Sequence, residues 1–146
     1  MDGDGDLDLA VGNYNNESNK IYRNDDGALT SAAVWSSAET EQTSNLSWGD
    51  VDGDGDLDLA VANTPGPNRV YLNDGGMLTA SAAWGSAESD HSYSVRWGDV
   101  DGDGDLDLAV ANMWQQSCLY RNDGGTLTAA AVWRSTEWGQ TYSMTW

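Results

Sequence analysis

Short stretches in which apolar and polar residues alternate recur along the chain, each just before an acidic or glycine-rich turn or at the chain's end. They are residues 46–48 (Leu-Ser-Trp), 95–97 (Val-Arg-Trp) and 144–146 (Met-Thr-Trp). A period of two is typical of a β-strand with one buried face, and no part of the chain sustains a helical period. We therefore predict an all-β protein in which these stretches form the first strand of a repeated unit.

Three further strands are predicted in each unit, and the middle copy illustrates them. Residues 57–62 place large apolar side chains on one face and alanines on the other, as in a sheet that is stacked between two others. A third strand at 69–72 and a fourth at about 77–84 lie on either side of an Asn-Asp-Gly-Gly turn at 73–76. The predicted unit is a four-stranded antiparallel sheet.

The unit occurs three times, because residues of one type stand 49 positions apart at several places: Asn24, Asn73 and Asn122; Trp35, Trp84 and Trp133; Trp48, Trp97 and Trp146. A period near fifty with glycine-rich turns favours the blades of a β-propeller or a similar β array. We assign a single repeat domain, 1–146, with a split blade from 1–44 plus the C-terminal strand 141–146, and further blades at 45–93 and 94–140. The recurring tryptophans are predicted to pack between blades.

Three blades are too few for a ring, because propellers have about four to eight. The first predicted blade lacks its innermost strand, and residues 141–146 form a first strand without a blade. If neighbouring chains exchanged these strands, every sheet edge would be paired. We therefore expect the ring to be closed by oligomerisation, with a six-bladed homodimer favoured and a homotrimer possible. An isolated fragment with open edges is the alternative.

A cluster of aspartates precedes the second strand in every copy: Asp2, Asp4, Asp6 and Asp8; Asp50, Asp52, Asp54, Asp56 and Asp58; Asp99, Asp101, Asp103, Asp105 and Asp107. Two carboxylates about 4 Å apart repel each other by about 1 kcal/mol in water and by about 4 kcal/mol near a protein surface. Such a loop therefore indicates a bound cation. Hard oxygen ligands suit calcium better than magnesium, and without a cysteine pair or clustered histidines zinc is not expected.

The spacing within the loop predicts individual roles. Numbered from Asp50, the side chains at positions one, three, five and nine are candidate ligands, and Gly55 permits a sharp bend. Asp56 would offer its backbone carbonyl, with its side chain pointing to solvent. An EF-hand would need a glutamate at position twelve, where every copy has valine, and flanking helices. In the first copy position one would precede Met1, so we expect a weak or empty site, unless a group such as the Trp146 carboxylate of a neighbouring chain fills it.

Composition excludes several classes of partner and chemistry. The net charge of −18 and a sequence pI of about 4.1 argue against nucleic acid and anionic membranes. No apolar run reaches the ~20 residues of a membrane helix, so no membrane insertion is expected. Cys118, the single cysteine, allows no internal disulfide, and its alignment with Lys20 and Arg69 predicts a place near the surface. No Ser-His-Asp arrangement or free carboxylate pair can be assembled, so we do not expect an enzyme.

Residues 48–63, which read Trp-Gly-Asp-Val-Asp-Gly-Asp-Gly-Asp-Leu-Asp-Leu-Ala-Val-Ala-Asn, resemble the FG-GAP or VCBS-type repeat. That repeat builds calcium-bearing blades in the integrin α-subunit propeller and in many bacterial surface proteins. The resemblance implies a propeller with calcium in the hairpin between the first two strands, held by all five aspartates of each full loop. It also implies an extracellular or cell-surface location. This chain lacks the Phe-Gly pair and has only three units.

The loops at the two ends of the unit differ in how well the copies agree. The acidic loop and the Asn-Asp-Gly turn are nearly the same in each copy, whereas the connections at 13–19, 63–68 and 112–117 differ. We therefore predict a scaffold that presents a variable face to a glycan or protein ligand. Exposed aromatics at this face, Tyr14, Trp114 and Trp138, indicate a carbohydrate-binding lectin as one alternative. An excised or designed repeat without a natural ligand is the other.

Overall fold

The computed structural model describes residues 1–146, and all its regular elements are β-strands. In chain order they are β1 (Leu9–Val11), β2 (Lys20–Tyr22), β3 (Asn24–Asp25), β4 (Ala28–Leu29), β5 (Trp35–Ser36), β6 (Thr43–Gly49), β7 (Asp58–Asn63), β8 (Arg69–Tyr71), β9 (Trp84–Gly85), β10 (Ser92–Gly98), β11 (Asp107–Gln115), β12 (Cys118–Tyr120), β13 (Trp133–Arg134) and β14 (Gly139–Gln140). No helix long and apolar enough to cross a membrane is present.

The strands form three successive antiparallel sheets, which confirms the predicted fold class of antiparallel β units. The first sheet has the order β1-β2-β5, the second β6-β7-β8-β9, and the third β10-β11-β12-β13, with β14 added to the end of β11. Strands β3 and β4 make a small hairpin. The second and third sheets begin at Thr43 and Ser92, two residues before the predicted boundaries at 45 and 94. The first sheet has no strand equivalent to β6 or β10, so β1 is an edge.

The core lies between stacked sheets and uses both faces of each central strand, as predicted. Leu59 and Val61 of β7 belong to one buried cluster with Ile21 of the first sheet. Ala60 and Ala62, on the opposite face of β7, belong to a second cluster that contains residues of the third sheet. Burial on both faces explains why residues 57–62 contain no polar side chain after Asp58.

The predicted fourth strand is wrong in extent, since β9 covers only Trp84–Gly85 rather than residues 77–84. The segment does bond to the third strand near its two ends, through Thr79 N to Leu72 O (2.8 Å) and Ala83 N to Val70 O (2.9 Å). Between these bonds the backbone turns to the preceding unit instead. The Ala82 N–H donates to the Glu39 carboxylate (3.1 Å), and the Ala80 carbonyl accepts from Ala38 N (2.8 Å). This competition breaks the ladder.

The predicted C-terminal strand, residues 141–146, forms no ladder within this chain, and its pairing with a neighbouring chain stays a prediction. These residues lie beside β10, where the Tyr142 ring meets Tyr93 edge-on with ring centroids 5.5 Å apart. The Trp146 indole lies against Gly98. In the other units the first strand pairs with the second, β7 or β11. Residues 141–146 would need the second strand of a following sheet, which is not among residues 1–146. Within this chain the segment therefore has no strand with which to pair.

The prediction that Cys118 lies near the surface is wrong. Its side chain is buried, with its sulfur 3.7 Å from the Asn112 amide nitrogen and 3.7 Å from the Tyr120 hydroxyl. The aligned Lys20 and Arg69 have long side chains that reach solvent from the same place. A thiol is too short to do so. Burial accordingly raises the pKa of Cys118.

Four of the six recurring tryptophans, Trp35, Trp48, Trp84 and Trp97, pack against the buried clusters between sheets, as predicted. Trp35 and Trp84 meet Tyr71 and Tyr120 of the following sheets edge-on, each with ring centroids 5.1 Å apart. The Trp97 indole covers Gly49 so closely that no side chain fits there. Trp133, whose place in the repeat matches Trp84, has no following sheet to contact and is exposed.

A methyl group at Gly49 is expected to destabilise the protein, because its Cβ would clash with the partly buried Trp97 indole. We expect Gly49→Ala to lower the free energy of unfolding by about 1–3 kcal/mol. Gly139→Ala is the matched control, since a Cβ at Gly139 would meet only Thr141 Oγ1 at 3.5 Å, an ordinary contact distance. Urea unfolding of both variants measures the difference, and equal losses would contradict this account.

Candidate metal centre

The loop between β6 and β7 gathers three carboxylates. Asp50, Asp52 and Asp58 each place one oxygen so that all three atoms lie within 4.8 Å of one another. The loop between β10 and β11 repeats this arrangement with Asp99, Asp101 and Asp107. The hairpin brings the ends of the two strands together, and Asp58 pairs with Gly49 in the β-ladder. The ladder therefore sets positions one and nine of the loop close to each other.

The aspartate at position one organises the bend of the loop. The Asp50 carboxylate accepts hydrogen bonds from Gly53 N (2.8 Å) and Gly55 N (3.1 Å). Both glycines have left-handed φ angles, 76° and 99°, which residues with a Cβ rarely adopt. The third copy makes the same pair of bonds from Gly102 and Gly104 to Asp99. The loop is thus wrapped around one carboxylate.

The aspartate at position nine ties the loop to the neighbouring turn. Asp58 is fully buried, and its two oxygens accept from Val51 N and Asn73 N, each at 2.8 Å. In the third copy, Asp107 accepts from Val100 N (2.9 Å) and Asn122 N (2.8 Å). A buried carboxylate is retained only when it is hydrogen-bonded or paired with a cation. Position nine therefore belongs both to the acidic loop and to the Asn-Asp-Gly turn.

The remaining aspartates of the loop bond to the backbone. Asp54 accepts from Asp56 N (2.9 Å), and Asp56 accepts from Gly75 N (2.7 Å). The Asp56 side chain, predicted to point to solvent, is half-buried and also bonds to the neighbouring turn. Gly75 lies 19 residues further along the chain, and only the fold brings it to the loop. The sequence does carry a signal for this bond, because Asp105 and Gly124 repeat it at 2.6 Å.

The clustered charges oppose their own ionisation. Burial is the largest effect on Asp58, and with the charges of Asp52 and Asp54 it raises the pKa of this carboxyl despite the hydrogen bonds that it accepts. Burial likewise raises the pKa of Asp52, with further contributions from Asp54 and Asp50. Burial and the charge of Asp103 raise the pKa of Asp101. A cation between these groups would remove the cost of keeping all of them ionised.

The donor set fits a hard divalent cation. Every candidate ligand is an oxygen, and the carboxylates converge from three positions of one short loop. A further buried oxygen, the side-chain carbonyl of Asn73, accepts no hydrogen bond, and Asn122 repeats this in the third copy. These asparagines also donate their backbone N–H to the position-nine aspartates. The two full loops could therefore hold a metal ion.

The first copy is built differently. Asp8 accepts from Asn24 N (2.9 Å), as its counterparts do, and also binds the Met1 nitrogen. Asp6 accepts from Asp26 N (2.7 Å), and Asp4 accepts from Asp6 N (2.9 Å). Asp2, Asp4 and Asp8 do not form a group of three converging oxygens of the kind found in the other copies. That this site is weak or empty remains a prediction.

The three aromatic candidates at the variable end are not all together. Trp114 and Trp138 line one open cavity with Gly139 and Gln140. The pairing of β14 with the extended end of β11 brings them close, and this pairing occurs only in the third unit. Tyr14 is exposed in the connection between β1 and β2 and does not line that cavity.

Family comparisons agree with the repeat seen in the sheets and loops. A family model described as the FG-GAP-like repeat matches residues 1–61 and 50–110, and one described as the FG-GAP repeat matches residues 92–129. The chain belongs to the FG-GAP repeat family. Its antiparallel sheets are consistent with FG-GAP propeller blades, which suggests a propeller-like scaffold of the adhesion type. No curated protein matches the chain.

The two full FG-GAP loops differ in one neighbouring charge. The Arg121 guanidinium lies 3.9 Å from an oxygen of Asp101, whereas the matching position of the middle copy is Leu72. A fixed positive charge beside a ligand competes with a bound cation. The loop at Asp50 is therefore expected to bind a divalent cation more tightly than the loop at Asp99.

Replacing Arg121 by leucine tests this difference between the loops. We expect Arg121→Leu to tighten calcium binding at the Asp99 loop roughly two- to fivefold, the range typical of exposed charge pairs. Arg134→Leu is a control that removes the same charge away from the loops, where Arg134 pairs with Glu88. Isothermal titration at low salt measures both affinities. An equal effect of the two substitutions would mean that only net charge matters.

Proposed function

We propose that the chain is a calcium-binding β-propeller scaffold that presents a variable loop face for extracellular binding or adhesion. The observation that carries the proposal is the pair of converging aspartate groups, at Asp50, Asp52 and Asp58 and at their counterparts 49 residues later. Calcium is favoured over magnesium because calcium accepts about six to eight oxygen ligands in variable geometry, whereas magnesium demands strict octahedral geometry and usually keeps several of its waters. The proposed role is not enzymatic.

Calcium would act as a structural ion. When bound, it would neutralise the carboxylates at Asp50, Asp52 and Asp58, which this chain holds at the end of a hairpin. Asp58 and Asp56 also bond to the turn at Asn73 and Gly75, so a cation on the loop would stabilise both connections of the sheet. Since the unfolded chain has no preformed site, the binding free energy adds to the free energy of folding.

The arrangement of the loops supports presentation of a binding face. The acidic loops join the first two strands of each sheet, and the connections from the second to the third strand leave from the opposite end. Those connections, at 12–19, 64–68 and 116–117, have different sequences in each unit. The free calcium expected outside the cell, together with family membership, supports an extracellular or cell-surface location. A ring needs more than three blades, and the six-bladed homodimer is the proposed closure.

Removing calcium tests the structural role. At a calcium concentration 100 times the Kd, one site contributes about 2.7 kcal/mol, so a chelator is expected to lower the Tm by on the order of 5–10 °C. The double variant Asp50→Asn with Asp99→Asn should lose this difference, because it removes the carboxylate around which each loop is wrapped. Asp74→Asn is the control, since Asp74 is exposed in the turn. A Tm that is the same with calcium and with chelator would refute the proposal.

A second candidate function is carbohydrate binding at the variable face. Trp114 and Trp138 line an open cavity of about 310 Å³ that also contains the Gln140 amide, a combination of stacking and hydrogen-bonding groups suited to a sugar. Trp114 has a φ of 57°, an unusual value for a bulky residue, and such strain is often found at binding sites. The cavity belongs to the third unit alone.

A glycan array separates the two candidates. If the cavity binds sugar, Trp114→Ala and Trp138→Ala should each weaken binding at least about tenfold, because each removes one wall of the cavity. Tyr14→Ala should bind as the original protein does, since Tyr14 is also exposed but lies outside the cavity. An array without any bound glycan, with calcium present, would leave the scaffold function and exclude the lectin.

A further inference from the structure

The two terminal sheets expose apolar side chains whose counterparts are buried inside the chain. Leu9 on the first sheet is 45% exposed, whereas the matching Leu59 and Leu108 are fully buried. Val100, beside the third sheet, is 47% exposed, whereas the matching Val51 is 4% exposed. The exposure differs because Leu59 and Val51 lie between two sheets of this chain, whereas Leu9 and Val100 lie on the outer faces of the first and third sheets.

The two internal joints are made by the same polar contacts. The amide of Asn73 donates to Met1 O (3.0 Å), and the amide of Asn122 donates to Val51 O (2.7 Å). The Tyr71 hydroxyl donates to Glu39 of the preceding unit, and the Tyr120 hydroxyl donates to Glu88, both at 3.0 Å. A backbone bond also repeats: Ala38 N donates to Ala80 O, and Ala87 N donates to Ala129 O, both at 2.8 Å. These bonds define one joint geometry that occurs twice.

By the repeat, each of these side-chain bonds has a third donor and a third acceptor in the chain. The donor lies in the first unit and the acceptor in the third, so the two cannot meet within one chain. The first sheet carries the matching donors, Asn24 and Tyr22. The third unit carries the matching acceptors, the Val100 carbonyl and the exposed Glu137 carboxylate. One end thus presents the groups that the other end lacks.

The shapes of the two ends match in the same way. At the internal joints Gly76 lies against the backbone of Asp2, and Gly125 lies against that of Asp52. A Cβ on Gly76 would be 2.9 Å from the Asp2 Cα, and one on Gly125 would be 3.2 Å from the Asp52 Cα. The equivalent Gly27 has open space around it. Beside the third sheet an apolar cavity of about 440 Å³ is left open, lined by residues that include Val100, Leu119, Trp133, Met144 and Trp146.

We propose that these two faces bind each other between copies of this chain, so that the first sheet of one copy covers the third sheet of the next. The Asn24 amide would then donate to the carbonyl of the partner's Val100, and Tyr22 to the carboxylate of the partner's Glu137. The partner's residues 144–146 would add the missing inner strand beside β1, with Trp146 opposite Leu9, as Trp48 is opposite Leu59. The partner is therefore a second copy of this chain.

Such a contact is heterologous, since different surfaces of the two copies meet, and it closes on itself if the rotation per copy divides a full turn. Two copies of three units each would form six blades, within the range of known propellers. The inference rests on the propeller part of the proposed function and is independent of its calcium part.

Light scattering of the full chain across a roughly hundredfold range of concentration tests the contact, with calcium and with chelator. We expect a dimer in calcium. A monomer under every condition would overturn the proposal, and would mean that something other than a second copy covers these faces. A dimer that persists in chelator with an unchanged Tm would refute the calcium site alone. A calcium-stabilised monomer would refute the contact alone.

Two complementary variants test the head-to-tail arrangement. Leu9→Glu blocks the face of the first sheet, and Trp133→Glu blocks the face of the third. Each should be a monomer alone, with at least about a tenfold loss in association. An equimolar mixture should form a heterodimer, because one intact face of each kind remains. A mixture that stays monomeric, while both variants melt cooperatively, would overturn the head-to-tail arrangement.

Leu7→Glu is the matched control for an added negative charge. Leu7 is 88% exposed, and its counterpart Leu57 stays exposed even though its own unit is flanked by sheets on both sides. The joint therefore does not cover this position, and the variant should remain a dimer. If Leu7→Glu dissociates the dimer as Leu9→Glu does, charge repulsion explains the effect and the proposed contact is wrong. If Leu9→Glu fails to fold, Asn24→Ala provides the same test through the loss of one cross-copy hydrogen bond.

Discussion

The structure depends on a buried carboxylate at the base of each acidic loop. Asp58 and Asp107 are withdrawn from water and are held by two backbone N–H groups each. Burying such a charge is costly unless hydrogen bonds and an opposite charge compensate it. The hydrogen bonds come from the loop and from the turn between the third and fourth strands. The two neighbouring aspartates would attract a cation, which would supply the opposite charge. The loop therefore both connects parts of the sheet and forms a candidate cation site.

Two asparagines, Asn73 and Asn122, connect the acidic loop to the neighbouring sheet. Asn73 donates its backbone N–H to Asp58 of its own unit and its side-chain amide to Met1 of the preceding unit. Asn122 does the same with Asp107 and with Val51. A change in how firmly the loop is held is therefore passed to the joint between sheets through one side chain. The acidic loop and the stacking of the sheets are therefore linked through one asparagine in each of these two units.

The opposite end of the sheets is free to vary because it carries none of these contacts. In the third unit the connection between the second and third strands grows into an extension of β11 that pairs with β14. This pairing creates the cleft between Trp114 and Trp138 without altering the acidic loop at the other end. Antiparallel strands thus separate the invariant part of the unit from the variable part by the length of the sheet.

The sequence alone determined the features that depend on local spacing. Alternation and the 49-residue repeat located the first three strands of the middle copy to within three residues, the largest difference being the first strand, which begins at Thr43 rather than Leu46, and aspartate spacing located the loops. Only the tertiary structure decided which backbone N–H groups donate to carboxylates that are distant along the chain. The Asp56 carboxylate accepts from Gly75 N, and the Ala82 N–H donates to Glu39 rather than to a strand. Residues 141–146 remain unpaired, because a ladder forms only where a second strand is in place.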